Sequence, residues 1–226
     1  MIVLVASTYD SRAQFVARHW GRDRARLLTA EDSSAPGWTY TGARAMSTAV
    51  VSGQRIDAGE ISGILTLRPC IYPVELQHIR PSDRDYVASE INAFLLAWLT
   101  SQSCRVVNRP TPLCLAGPNW APIQWTHAAA KVGIPVQSMW HHVPEMGESK
   151  IQDRIEEVVT VGQHCFGYSD SVFQTWTLRL AQATGVDLLC CRFSLERRCL
   201  VSAHTWPDLR DPDLLAILFD QLEGRE

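Results

Sequence analysis

Residues 2–6 read Ile-Val-Leu-Val-Ala, apolar without a break, and Ser7 and Asp10 separate them from a helical pattern that ends near Trp20. A short, uninterrupted apolar run is a buried strand, and a strand feeding directly into a helix opens an α/β chain. The next segments keep to that grammar. Residues 27–29 are expected as a second strand, and the 31–37 stretch Glu-Asp-Ser-Ser-Ala-Pro-Gly as turn chemistry. Residues 38–40 and 48–52 are expected as short strands of a hairpin or meander closed by Gly53, and 61–67 as another buried strand ending at Arg68-Pro69.

The clearest helix is expected over 83–100, where Val87, Ile91, Phe94, Leu95 and Trp98 fall on one face, with Ser82 as its N-cap and Asp83 and Asp85 facing the positive end of its dipole. Residues 104–107 are expected as a strand leaving through Asn108-Arg109-Pro110. A helix over 122–132 follows, with Pro122 in its first turn and Gly133 at its end. Residues 134–137 are expected as an edge or sheet strand. From 139 to 154 neither period holds, and this is expected as a connector. Beyond it come a strand at 158–162, a helix at 171–184, a hairpin from 186–193 and 198–203, and a last helix at 211–223.

Composition narrows the function classes. The 226 residues are 46% hydrophobic and 20% charged with a net charge of −3, an ordinary globular balance that needs no staple to fold. Mild acidity leaves no electrostatic footprint for nucleic acid or an anionic membrane. No apolar run approaches the roughly 20 residues of a membrane span, and the opening run lacks the basic leader of a signal peptide, so a cytoplasmic location is expected. The seven cysteines are odd in number and scattered through apolar stretches, and are expected as reduced core thiols. Lysines stand only at positions 131 and 150, so phosphate chemistry has few cations of that type to draw on.

Several phrases resemble the ATP-grasp ligases, in the branch that modifies peptides and ribosomal proteins. They are Tyr86-Val87-Ala88-Ser89-Glu90, Val107-Asn108-Arg109-Pro110 and Ala130-Lys131-Val132-Gly133-Ile134-Pro135-Val136, then Val158-Val159-Thr160-Val161-Gly162 and the stretch from Leu180 to Leu189. The resemblance implies a small mixed or parallel sheet with flanking helices, like the domain preceding the ATP-grasp body, over 1–137. A connector over 138–157 and a C-terminal strand-helix-hairpin-helix remnant of the ATP-grasp domain over 158–226 complete the expected division. It also implies losses. Family members carry a much longer insert than residues 137–157 to grip ATP. Pro122 stands near the family's first ATP-contacting lysine, and Ser202 and His204 stand where a Glu-x-Asn pair holds Mg²⁺. Serine and histidine suit a hard cation poorly. No Gly-x-x-x-x-Gly-Lys-Ser/Thr or Gly-x-Gly-x-x-Gly loop replaces what is missing.

Three groups of residues carry candidate chemistry. Arg68, Arg84, Asn108 and Arg109 stand at strand exits or at a helix start, and would line a crevice for a carboxylate or peptide; alternatively Arg84 or Arg109 pairs with Asp83, Asp85 or Glu90 to fix the helix. Trp120, with the other loop tryptophans Trp38, Trp140 and Trp206, offers either partner anchors or lids over the core. His141, His142 and Glu145, with His204, His127 or His164 as partners from elsewhere, form the densest set of metal ligands or bases. Cys190 and Cys191 face opposite ways on a strand and make no vicinal clamp, while Cys114 is expected as the most accessible thiol.

The leading expectation is a non-catalytic ATP-grasp-like protein that needs no cofactor. It would bind a peptide or partner enzyme as an accessory of a peptide-modification or specialised-metabolite pathway. Two alternatives stay open: an enzyme with a transition metal on His141, His142, Glu145 and His204, or a subunit that completes an ATP and Mg²⁺ site with a partner chain. A homo-oligomer is compatible with the sequence; nucleic acid and membrane partners are not expected.

Overall fold

A computed structural model describes residues 1–41, 47–137 and 153–224. They divide into two compact units, 1–119 with 208 onward, and 120–207. This differs from the boundaries expected from sequence. The helix after Pro122 falls in the second unit and the C-terminal helix in the first.

In the first unit the strands β1 (Ile2–Val5), β2 (Ala25–Leu28), β5 (Gly63–Thr66) and β6 (Arg105–Val107) form one parallel sheet in the order β2-β1-β5-β6. Every residue of β1 is fully buried, as its unbroken apolar run demands. Helix α1 (Ser11–Trp20) is capped by the Asp10 carboxylate, which accepts from the Arg12 and Ala13 amides. The expected turn at 31–37 is instead a short helix, α2 (Ala30–Ser34). Thr29 and Asp32 close a capping box there, so the polar residues that read as a turn are helix-start chemistry.

Buried Asp32 also accepts from the amides of Gly53 at 2.7 Å and Ser52 at 3.3 Å. Those two residues turn the hairpin β3 (Thr48–Val51) to β4 (Gln54–Asp57), and both have positive φ, as a two-residue primed turn requires. Residues 38–40 therefore supply only a bridge, Thr39 to Thr48, and the true partner of β3 is the polar β4.

Helix α3 (Arg84–Ser101) lays Ala88, Ile91, Leu95, Trp98 and Leu99 onto this core. Its N-cap position is Asp83 rather than Ser82, with no side-chain cap bond. Helix α6 (Pro212–Glu223) packs on β5 and β6, and Trp20 donates to the Leu215 carbonyl at 3.2 Å. Gly63 permits this approach, because a Cβ there would meet Leu222 Cα at 2.8 Å.

In the second unit β7 (Ile155–Val161), β8 (His164–Gly167), β9 (Leu188–Ser194) and β10 (Cys199–His204) make an antiparallel sheet in the order β10-β9-β7-β8. Helices α4 (Pro122–Lys131) and α5 (Ser171–Thr184) cover one face through Trp125, Ala129, Phe173 and Leu180, packed with Val158, Leu189, Cys191 and Phe193. Phe173 stacks on Phe193 with centroids 4.6 Å apart and ring planes 3° from parallel. Residues 134–137 contribute one parallel bridge, Val136 to Leu200, rather than a full strand. Among the described residues no helix is long and apolar enough to cross a membrane.

Candidate functional site

The three arginines expected to share a crevice serve separate parts of the first unit. Arg68 is buried, pairs with Glu75 and donates from Nε to the Cys70 carbonyl at 2.8 Å. Arg84 is spent on the carbonyls of Ile79 at 2.9 Å and Gln77 at 3.1 Å, not on Asp83, Asp85 or Glu90. Arg109 reaches the Thr100 and Gln102 carbonyls, each at 3.5 Å, and so complements the negative end of α3. Eighteen helical residues separate those two ends. At 1.5 Å per residue that is about 27 Å, so Arg84 and Arg109 are not brought together. Asn108 is a buried turn residue with φ +54°, a left-handed value that asparagine tolerates, and Gly117 leaves room for its Cβ.

Trp120 fares differently. It leans on Trp125 with centroids 4.8 Å apart, and with Ile123, His127, Lys131, Val132 and Ala183 it lines an open, mostly apolar groove of about 620 Å³ on the α4–α5 face. Ile123 is 56% exposed there, and Lys131 adds a cation at its rim. Of the remaining loop tryptophans, Trp38 is a lid: its ring meets Phe94 and Trp98 edge-on and its Nε1 donates to the Asp32 carbonyl at 2.7 Å. Trp140 lies outside the described residues, as do His141, His142 and Glu145. Cys114, expected to be accessible, is buried, and burial pushes its thiol up and away from thiolate chemistry.

His204 stands in a cluster that the sequence did not point to. On the sheet face turned away from α4 and α5, it lies directly opposite Cys190 across the β9–β10 ladder, and Glu157 projects from the adjoining β7. One ligand atom from each of the three lies within 4.8 Å of the other two, the sole such group of His, Cys, Asp and Glu among the described residues. Cys190 is fully buried, and its thiol is pushed up by that burial first and by the Glu157 charge second. Burial pushes the His204 imidazole down, partly countered by Glu157. The Trp206 amide donates to His204 Nδ1 at 3.3 Å. Arg192 sits across from Glu157 on the same face and is exposed. His127 lies in the groove and exposed His164 starts β8, neither in this cluster.

No family model matches the chain, and no curated protein matches its sequence. Solved structures do match its fold. The macrocyclase MdnC of Microcystis aeruginosa MRC, bound to its precursor peptide MdnA, is similar with a TM-score of 0.69 at 10% identity over 100% of both chains. The ATP-grasp ligase PsnB, complexed with a minimal precursor, Mg and ADP, gives 0.70 at 13% identity over 98% of each chain. A RiPP-associated ATP-grasp ligase of Chryseobacterium gregarium, with ADP and a leader and core peptide, gives 0.66 at 10% identity over 100% of this chain and 97% of its own. The chain therefore has the mixed α/β fold of the peptide-modifying ATP-grasp ligases, as the sequence resemblance implied.

That fold raises the question of ATP and Mg²⁺, and the residues do not fit them. Pro122 opens α4 where the resemblance expects a lysine. Lys131 stands nine residues later, about 13 Å along the helix axis. The resemblance sets Ser202 and His204 at the places of the oxygen ligands, and the face they share carries a thiol and the Arg192 guanidinium beside the Glu157 carboxylate. Mg²⁺ demands near-octahedral oxygen donors, so this set is wrong in both charge and softness.

Proposed function

We propose that this protein binds a peptide or a partner enzyme without ATP-dependent catalysis, as an accessory of a peptide-modification or specialised-metabolite pathway. What supports the reading is the mismatch between an ATP-grasp-like fold and the side chains of Pro122, Ser202 and His204, which the sequence resemblance sets at the places of a phosphate-binding lysine and of the cation's carboxylate and amide ligands. The groove beside Trp120 supports it from the other direction. A concave, largely apolar surface with an aromatic anchor and a rim cation suits the side chains of a short peptide. The structures of similar fold named above are complexes with precursor or leader peptides, in keeping with a peptide ligand.

Two measurements test the proposal. Calorimetric titration with Mg-ATP is expected to give no binding heat, and a micromolar isotherm overturns it. Titration with a panel of short synthetic peptides is expected to yield at least one that shifts tryptophan emission. Trp120→Ala should weaken that binding at least tenfold while the far-ultraviolet circular dichroism stays unchanged.

A further inference from the structure

We infer that Glu157, Cys190 and His204 form a three-ligand site for a divalent transition metal of the zinc class, with the fourth coordination position open to water or an incoming donor. The assignment goes beyond the peptide-binding reading and does not rest on it. Three facts converge on it: the ligand types, their scaffold, and the space between them.

A thiolate, an imidazole and a carboxylate are the set that zinc accepts in tetrahedral sites, and three protein ligands with one open position is its usual arrangement where the metal meets a substrate or solvent. The same set discriminates against magnesium and calcium. Each ligand comes from a different neighbouring strand, β7, β9 and β10; the β7–β9 ladder holds one register, and the β9–β10 ladder shifts once, between Leu200 and Ser202, before His204 pairs with Cys190. Directly opposed strand residues have Cβ atoms about 4.5–5.5 Å apart, and a diagonal neighbour lies within reach of a long side chain. Cys190 and His204 are the opposed pair, and Glu157, across from Arg192, is the diagonal one.

The ligand atoms lie within 4.8 Å of one another. A metal with bonds of about 2.0–2.3 Å draws such atoms somewhat closer, which side-chain rotation supplies without moving the strands. Cys190 is buried while His204 and Glu157 are partly exposed, so the site has a sealed floor and an open side. The hydrogen bond to His204 Nδ1 is long at 3.3 Å. A metal on Nε2 moves the ring proton to Nδ1 and opens that contact; a metal on Nδ1 replaces it. Exposed Arg192 is a neighbouring cation on this face, and it opposes loading.

The test uses the full chain, stripped with a chelator, kept reduced and titrated with cobalt(II) as a spectroscopic stand-in for zinc. The expected result is one equivalent bound, with a thiolate-to-cobalt charge-transfer band and the intense visible bands of four-coordinate cobalt, both abolished by one equivalent of zinc. Cys190→Ser should remove the charge-transfer band, and His204→Ala and Glu157→Gln should each weaken binding at least tenfold. Cys114→Ser and Cys165→Ser should leave the spectrum unchanged. Should Cys190→Ser fail to fold, Glu157→Gln decides alone, since it keeps shape while removing the charge. No stoichiometric binding, full affinity in Glu157→Gln, or a signal that disappears in a His141→Ala/His142→Ala double variant but survives His204→Ala overturns the assignment.

Discussion

Gly63→Ala is expected to loosen helix α6 from the first sheet. An added Cβ would sit 2.8 Å from both Cα and Cβ of Leu222 and would run into the Leu222 carbonyl oxygen. Carbon atoms pack at about 3.5–4.0 Å, so the helix must retreat by roughly 1 Å at that point. The retreat disturbs the whole apolar stripe of Leu214, Leu215, Leu218, Phe219 and Leu222, because a helix moves as a rod. Overpacking of a close-packed core costs about 1–3 kcal/mol, and a clash with backbone rather than a rotatable side-chain tip belongs at the upper end. Gly59→Ala is the control: nothing lies within 4 Å of its added Cβ, so its stability should stay within about 0.5 kcal/mol. Urea unfolding gives the magnitude, and hydrogen exchange across Pro212–Glu223 locates it. Equal stability of the two variants, or faster exchange in α5 rather than α6, would refute the placement of α6 on β5.

Further outcomes follow from the second unit. Phe173→Ala removes a fully buried ring stacked on Phe193 and should cost about 3–5 kcal/mol, read as early loss of the 155–204 sheet in hydrogen exchange. The Asp170 carboxyl is held below its ordinary value by the Val172 amide it caps, then by the Phe173 amide and Arg198. A lowered folded-state pKa stabilises above the unfolded value of 3.8, and that contribution is lost as pH falls below it; Asp170→Asn should keep the cap and flatten this acid dependence. Arg192→Gln removes the cation facing Glu157 and should tighten cobalt binding several-fold, checked by the same titration as the ligand variants. Unchanged or weaker binding would count against a metal beside that guanidinium.

Elements whose period is carried by apolar side chains were legible without coordinates. The helix over Ser171–Thr184 has an aspartate before it and a left-handed glycine after it, and both ends fall where those signals stand. β1 declares itself by containing nothing polar. The segments that went astray are short and polar. Gln54–Asp57 buries one side chain of four, too little alternation to announce a strand, and it is ordered by its turn and by Asp32 from another element. The α6 docking was equally hidden, because a glycine inside a strand does not say which partner comes close.

The metal cluster shows why a site can be illegible even when its strands are legible. The resemblance puts His204 at a ligand position, whereas the sequence pattern leaves Glu157 as the last residue of a connector over 138–157, although β7 starts at Ile155. Shifting a strand boundary changes no side chain's face, but leaving Glu157 outside the strand removes it from the alternation that pairs it with β9. Cys190 and its neighbour Cys191 cannot share a metal, since Cys191 points to the helix-side core and Cys190 to the opposite face. That alternation is also what frees Cys190 for partners on other strands. Its cross-strand neighbour depends on the irregular register between Leu200 and Ser202, which carries His204 opposite Cys190. A bulge is set by the local backbone and re-aims the side chains beyond it. A purely regular pairing from Cys199 and Ser194 would have placed Ala203, not His204, opposite Cys190, so the one residue taken up by the irregularity is what brings the imidazole to the thiol.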